Sequence, residues 1–289
     1  MIKTDNLIIN FTPTGMIPVK EQNPFVPVKP NEIIDDVLEA CRIGITSVHL
    51  HARNPVSQEP DYKAELYAEI ISGIRKYEKE LVICVSLSGR NFNEFEKRAN
   101  PLTLSGNLKP DMGSLTLSSL NFNKQASINS PQMIYDLAVE MAKRKIKPEL
   151  EAFDAGMINY AKYLIKKNIL KPPYYFNLIL GNIACAQADL LHAGIMINDL
   201  PENSVWTLAG IGSNQLKINS AAISFGGGVR VGLEDNIWYD KNKSKPAKNS
   251  DLLKRIHAIA EANERKIMIP SEFRKILNLK PGRGKYGCL

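Results

Sequence analysis

The chain has 289 residues, 44% hydrophobic and 23% charged, with a formal net charge of +7. That balance excludes a disordered or fibrous chain and supplies a large core, and no apolar run approaches the ~18 residues of a membrane span. The basic residues are scattered, without interleaved aromatics or a nucleic-acid motif, so nucleic acid is set aside and an anionic small substrate or phosphate-bearing cosubstrate is favoured.

Four cysteines, Cys41, Cys84, Cys185 and Cys288, are widely spaced and lack any CxxC pair. They read as free thiols in a reducing compartment. With no secretory signal pattern, a cytoplasmic location is expected. The basic stretches Asp240–Lys248 and Lys280–Lys285 read as solvated loops.

Taken in order, Asn6–Thr12 reads as a strand, followed by a Pro-bearing loop. Pro30–Arg42 is an amphipathic helix, with Ile33, Ile34, Val37, Leu38 and Cys41 on one face, stopping at Gly44. The strand ending at His51 follows, then a helix over Ala64–Tyr77 and a strand over Leu81–Ser86. Met112–Leu117 is the fourth strand, Pro131–Lys145 a helix and Glu149–Asp154 the fifth strand. A helix at Met157–Asn168 leads to strand Tyr175–Leu180. Ala184–Met196 reads as helical and Val205–Ala209 as the seventh strand. Helix Gln215–Phe225 and strand Val229–Glu234 close the set, with helices near Leu252–Asn263 and Ser271–Leu277 beyond.

Eight strands alternating with helices, without a linker, predict an α/β fold: a (β/α)8 TIM barrel. It is expected to be one domain over residues 1–289, with C-terminal helices and tail from about 248. An open doubly wound sheet is the competing architecture. No strand leads through a Gly-rich fingerprint into a helix, and Gly226-Gly-Gly228 precedes a strand, so dinucleotide binding is not expected.

His49 and His51 are half of the chain's four histidines. Residues i and i+2 of a strand share a face, so both imidazoles can turn to one cation. Strand-paired histidines hydrogen-bonded to neighbours are the simpler alternative. In a closed barrel, strands two and eight flank strand one, and their ends converge at the C-terminal mouth. There Glu234 shares the parity of Arg230, and two His with one Glu is a ligand set that leaves zinc an open position.

The pieces Thr12-Pro-Thr-Gly15, Lys20-Glu-Gln-Asn-Pro24, His49-Leu-His-Ala-Arg53, Pro148–Asp154, Ala209-Gly-Ile-Gly212 and Arg230–Asn236 run in order through the chain. In these the sequence resembles the β-keto acid cleavage enzymes, over about residues 7–280. The resemblance implies condensation of a β-keto acid with acetyl-CoA to give acetoacetate and a new acyl-CoA. It implies Zn2+ (another divalent metal could substitute) on His49, His51 and Glu234, polarising the keto oxygen. Asp235 would be the general base, activated by Arg230, whose charge should lower the carboxylate's pKa. Ser86 and Gly89 match positions that hold the substrate carboxylate, and Thr116 and Ser118 would assist. Glu151 is expected to line the pocket. The family implies a homo-oligomer, a tetramer.

One departure bears on the substrate. Aminohexanoate-cleaving members carry a glutamate, expected to pair with the substrate ammonium, where this chain has Ile17. An ammonium beside Met16 and Ile17 would be desolvated without a partner. A β-keto acid without the amino group, with a neutral or apolar tail, is therefore expected. A divalent-metal-dependent aldolase or hydrolase of a small carboxylate on the same barrel, and a metal-binding barrel without turnover, are the other readings.

Overall fold

The computed structural model describes residues 1–289. Eight parallel strands close on themselves: β1 (Ile9–Phe11), β2 (Ser47–Leu50), β3 (Val82–Val85), β4 (Met112–Thr116), β5 (Lys147–Ala152), β6 (Tyr174–Leu180), β7 (Ser204–Gly210) and β8 (Gly228–Val231). Each pairs with its sequence neighbours, and β8 returns to β1 with Asn10 opposite Arg230. This is the expected (β/α)8 barrel. The open sheet is ruled out because all eight strands have a partner on both edges, which leaves no edge strand.

The helices are α1 (Pro30–Ile43), α2 (Ala64–Arg75), α3 (Phe95–Arg98), α4 (Pro131–Lys143), α5 (Ala155–Lys166), α6 (Leu190–Asn198), α7 (Gln215–Ser224), α8 (Asn249–Ala262) and α9 (Pro270–Ile276). Their ends follow local chemistry. Proline opens α1, α4 and α9, where its missing N–H costs nothing. The Glu32 carboxylate accepts from the Val28 and Lys29 N–H groups at the start of α1. Ser130, Asp154 and Asp189 each accept from an N–H one turn ahead.

Two sequence expectations are corrected. The run Ala184–Met196 is helical only from Leu190, because Asp189 caps there and Ala186 bonds to Phe153 and Gly181 instead. Between β3 and β4 the chain forms the single turn α3 and two short 3-10 turns, Asn100–Thr103 and Gly106–Leu108. The last strand stops at Val231 rather than Glu234, since the chain turns at Gly232 under the Thr12 carbonyl. A Cβ on Gly232 would lie 2.0 Å from that oxygen, so only glycine fits. Two short ribbons, Ala52–Arg53 with Pro60–Asp61 and Leu120–Asn121 with Ala126–Ser127, rise from the loops after β2 and β4.

The main core lies between barrel and helices. A second cluster fills the N-terminal end, where Phe273 of α9 and Leu277 just past its end pack on Ile8, Val82, Met112, Tyr175 and Val205. The rings of Phe273 and Tyr175 meet edge to face at 5.2 Å. With that end plugged, the open end is the C-terminal mouth, where such barrels keep their chemistry.

Candidate active site

At the mouth, β2 delivers His49 and, one residue past its end, His51. The two Nε2 atoms face each other at 3.3 Å, and His51 Nε2 lies 3.2 Å from Glu234 Oε1. One nitrogen of each histidine and one oxygen of Glu234 lie within 4.8 Å of one another, so the three groups converge as expected. Their route differs from the expectation: Glu234 arrives from the turn after Gly232 and not by strand parity. Gly15 makes room for it, because a Cβ there would sit 2.5 Å from Glu234 Cγ.

Arg230 on β8 organises the carboxylates. It donates through Nε to Asp235 Oδ2 at 2.9 Å and pairs through Nη2 with Glu234 Oε1 at 2.6 Å. Its Nη1 lies 3.5 Å from Glu151 Oε1, and Thr116 Oγ1 donates to Glu151 Oε2 at 2.7 Å. Burial would raise the pKa of Glu234, but Arg230 and the imidazoles outweigh it and hold the carboxylate well below its ordinary range. Asp235 goes the other way. The expected lowering by Arg230 is reversed, because burial, reinforced by Glu234, raises its pKa.

Beneath His49 lies a residue that the sequence reading passed over. His49 Nδ1 meets Glu149 Oε2 at 2.5 Å, and Asn10 and Cys84 donate to the same carboxylate. This pairing turns Nε2 of His49 toward the mouth. Burial opposes a charged His49 ring, but the Glu149 and Glu234 carboxylates prevail and push its pKa up to about 9. Burial lowers that of His51. Glu149 shares parity with Glu151 in Pro148-Glu-Leu-Glu151, so strand alternation carried the signal that could have found it.

A cavity of about 540 Å³ opens above these groups, lined by His51, Ser86, Thr116, Glu151, Arg230, Glu234 and Asp235 together with Met16 and Ile17. Gly89 lies behind its wall, where its carbonyl accepts from Ile128 and a Cβ would meet the Ile128 oxygen at 2.3 Å. Ser118 faces away into a separate cleft with Asp154 and Tyr160. Arg53, fully buried, donates to the Gly15 and Pro18 carbonyls and fixes the loop carrying Met16 and Ile17.

Residues 6–279 match the family model for the beta-keto acid cleavage enzyme. The chain belongs to the beta-keto acid cleavage enzyme family. A cleavage enzyme of Fusobacterium nucleatum, acting on 3-keto-5-aminohexanoate, is 33% identical over 96% of this chain and 99% of its own. The 3-oxoadipate:acetyl-CoA acetyltransferase of Cupriavidus necator is 32% identical over 96% of each chain. The 3-dehydrocarnitine:acetyl-CoA trimethylamine transferase of Rhizobium meliloti is 28% identical over 92% of this chain and 94% of its own. Among solved structures, apo ObcA superposes with a TM-score of 0.77 at 16% identity, covering 88% of this cleavage enzyme, which spans 65% of the ObcA chain. That likeness shows the barrel fold alone.

Proposed function

We propose that this enzyme condenses a β-keto acid lacking an amino group with acetyl-CoA, in a zinc-dependent reaction, releasing acetoacetate and a new acyl-CoA. The family supports the reaction class. The carrying observation for the metal is the orphaned Glu234 Oε2, which is buried with no hydrogen-bond partner beside two inward-facing imidazole nitrogens. An unpaired buried carboxylate oxygen is costly unless something absent from the protein takes it. His49, His51 and Glu234 would hold Zn2+ (or another divalent cation), which when bound would act as a Lewis acid toward the keto oxygen.

The chain's own residues divide the remaining work. Asp235, aimed by Arg230, takes the proton from the carbon between the two carbonyls and later returns it to acetoacetate. Its raised pKa makes it a better base than an ordinary Arg-paired aspartate. The carbanion adds to the acetyl carbonyl and releases the CoA thiolate. Addition of the thiolate to the keto carbonyl then breaks the original carbon–carbon bond. Ser86 binds the substrate carboxylate with a neutral donor; Thr116 would do so only by turning its O–H away from Glu151, and Gly89 and Ser118 only through their backbone or after rearrangement, given where they lie. Glu151 lines the pocket and balances Arg230.

Met16 and Ile17 support the missing amino group, since neither offers an anion where the cavity lining would receive a cation. A homo-oligomer, tetrameric by family, is also proposed: α6 exposes Leu190, Leu191 and Ile195, an apolar face suited to a subunit contact. No helix is long and apolar enough to cross a membrane. A cytoplasmic setting agrees with four free thiols.

The test is metal analysis of purified wild type against His49→Ala, with acetoacetate measured from acetyl-CoA and a panel of β-keto acids. Wild type is expected to carry about one divalent ion per chain and to form acetoacetate, and the variant to lose both. Acid turnover without any acetoacetate would indicate the aldolase or hydrolase reading instead. A clear preference for 3-keto-5-aminohexanoate would refute the substrate assignment.

A further inference from the structure

The cavity's cations are unequally matched. Arg230 is surrounded by three carboxylates, from Glu151, Glu234 and Asp235. Arg90, in the loop after β3, lines the same cavity, yet no carboxylate pairs with its guanidinium. Its Nε is buried without a hydrogen-bond partner, and its guanidinium carbon lies 3.6 Å from the centre of the Phe122 ring. Only its backbone is tied down, through Ser88 and Gln125. Lys124 and Lys243 also line the cavity, but both are exposed at the rim, where water solvates their charge.

A half-buried guanidinium resting over an aromatic ring, with its donors unspent and partly desolvated, suits a planar anion. We infer that Arg90 receives a second carboxylate at the acyl end of the keto acid, so that the substrates of this enzyme are β-keto dicarboxylic acids. The inference rests on the acetyl-CoA cleavage reading for its chemistry. The carboxylate next to the keto group has the Ser86 hydroxyl at the end of β3, with Thr116 of β4 beside it bonded to Glu151. Arg90 stands beyond them, packed on Phe122 just past the Leu120–Asn121 strand of the second ribbon. Ile17 removes the partner for a cationic tail, and Arg90 separates an anionic tail from a neutral one. The neutral tail expected from the sequence is replaced on this ground.

The decisive comparison is 3-oxoadipate against 3-oxohexanoate, six-carbon β-keto acids that end in a carboxylate and a methyl group. Acetoacetate formation is followed in wild type, Arg90→Met and Arg90→Lys, with metal content and circular dichroism confirming each fold. Wild type is expected to favour the dicarboxylate in kcat/KM by on the order of a hundredfold, the value of a charge-assisted pair. Arg90→Met should shrink that ratio at least about tenfold, mainly through KM for the keto acid, and Arg90→Lys should restore part of it.

An unchanged ratio would overturn the inference. So would an equal loss on both acids, which would place Arg90 on their shared carboxylate. A rise confined to the KM for acetyl-CoA would assign it to a CoA phosphate and overturn it equally. Calorimetry with adipate and hexanoate separates this inference from the reaction itself. If no acid yields acetoacetate but adipate binds more tightly than hexanoate and Arg90→Met abolishes the difference, the anion site stands and the cleavage reading falls. If adipate and hexanoate bind alike, the site falls.

Discussion

His49 serves two partners through its two nitrogens, and its titration depends on both. Its pKa of about 9 lies above the ordinary 6.5 because Glu149 and Glu234 favour the charged ring. In the metal-free protein, pairing with Glu149 therefore stabilises the fold fully below about pH 6.5, and that contribution is lost as pH rises through about 9. A cation at Nε2 competes with the same proton, so metal retention should strengthen as pH rises across that window. Glu149→Gln removes the carboxylate that holds the proton. It should flatten this dependence while weakening metal binding roughly 10–100-fold, because the ring loses its orienting partner. Chelator competition across the window reads both effects. Metal binding that is unaffected by Glu149→Gln would show that the pair beneath His49 is structural only.

Among the elements, the turn after β8 matters most, because it carries Glu234 and Asp235 outside any regular strand. Asn249, the first residue of α8, holds it. Its Oδ1 accepts from the Leu233 N–H at 2.9 Å, and its Nδ2 donates to the Pro13 carbonyl and to Asp36 Oδ2. One buried amide thus ties the β8 turn to the loop after β1 and to α1. Burial pushes the Asp36 pKa up to about 7, which shows how little water reaches this knot. Asn249→Ala should leave several buried groups unpaired, at a cost of about 1–3 kcal/mol. Metal affinity and kcat should fall together, with KM for acetyl-CoA little changed. A variant with lower stability but normal metal affinity would deny Asn249 this positioning role. The motif Arg230–Asn236 marked Glu234 and Asp235 in the sequence, but nothing in it pointed to Asn249, because a lone asparagine at a helix start reads only as a cap.

For the whole molecule, a buried charge cluster braces the end opposite the chemistry. Asp111, fully buried before β4, accepts from both Arg274 Nη groups at 2.9 and 2.8 Å, from Arg75 Nη2 and from the Gly287 N–H. Arg274 also donates to the carbonyls of Glu80, Leu81 and Lys280. This cluster clamps α2, α9 and the C-terminal tail under the barrel. Asp111→Ala would strand two buried guanidinium groups and is expected to destabilise by roughly 3–5 kcal/mol. Urea unfolding reads that loss, and substrate affinity should be nearly unchanged in the folded fraction. A loss under about 1 kcal/mol would mean that water has replaced the carboxylate.

Some of this was readable without coordinates, and the division has a physical cause. The alternation of β-branched runs with amphipathic helices determined the barrel, because period-2 and period-3.6 patterns are local properties of the chain. His49 and His51 were legible because a single strand sets their spacing. Glu149 beneath them, Asn249 behind the turn and the unpaired Arg90 over Phe122 were not, because each is defined by a partner far away in sequence. The helix over Ala184–Ala188 failed for the same reason, as Phe153 and Gly181 compete for its backbone. The sequence by itself determined the strand order and named candidate donors; only tertiary structure decided which of them share a cavity, which charges remain unmatched and which carboxyl groups have their pKa raised or lowered, since burial and field strength arise from the packed whole.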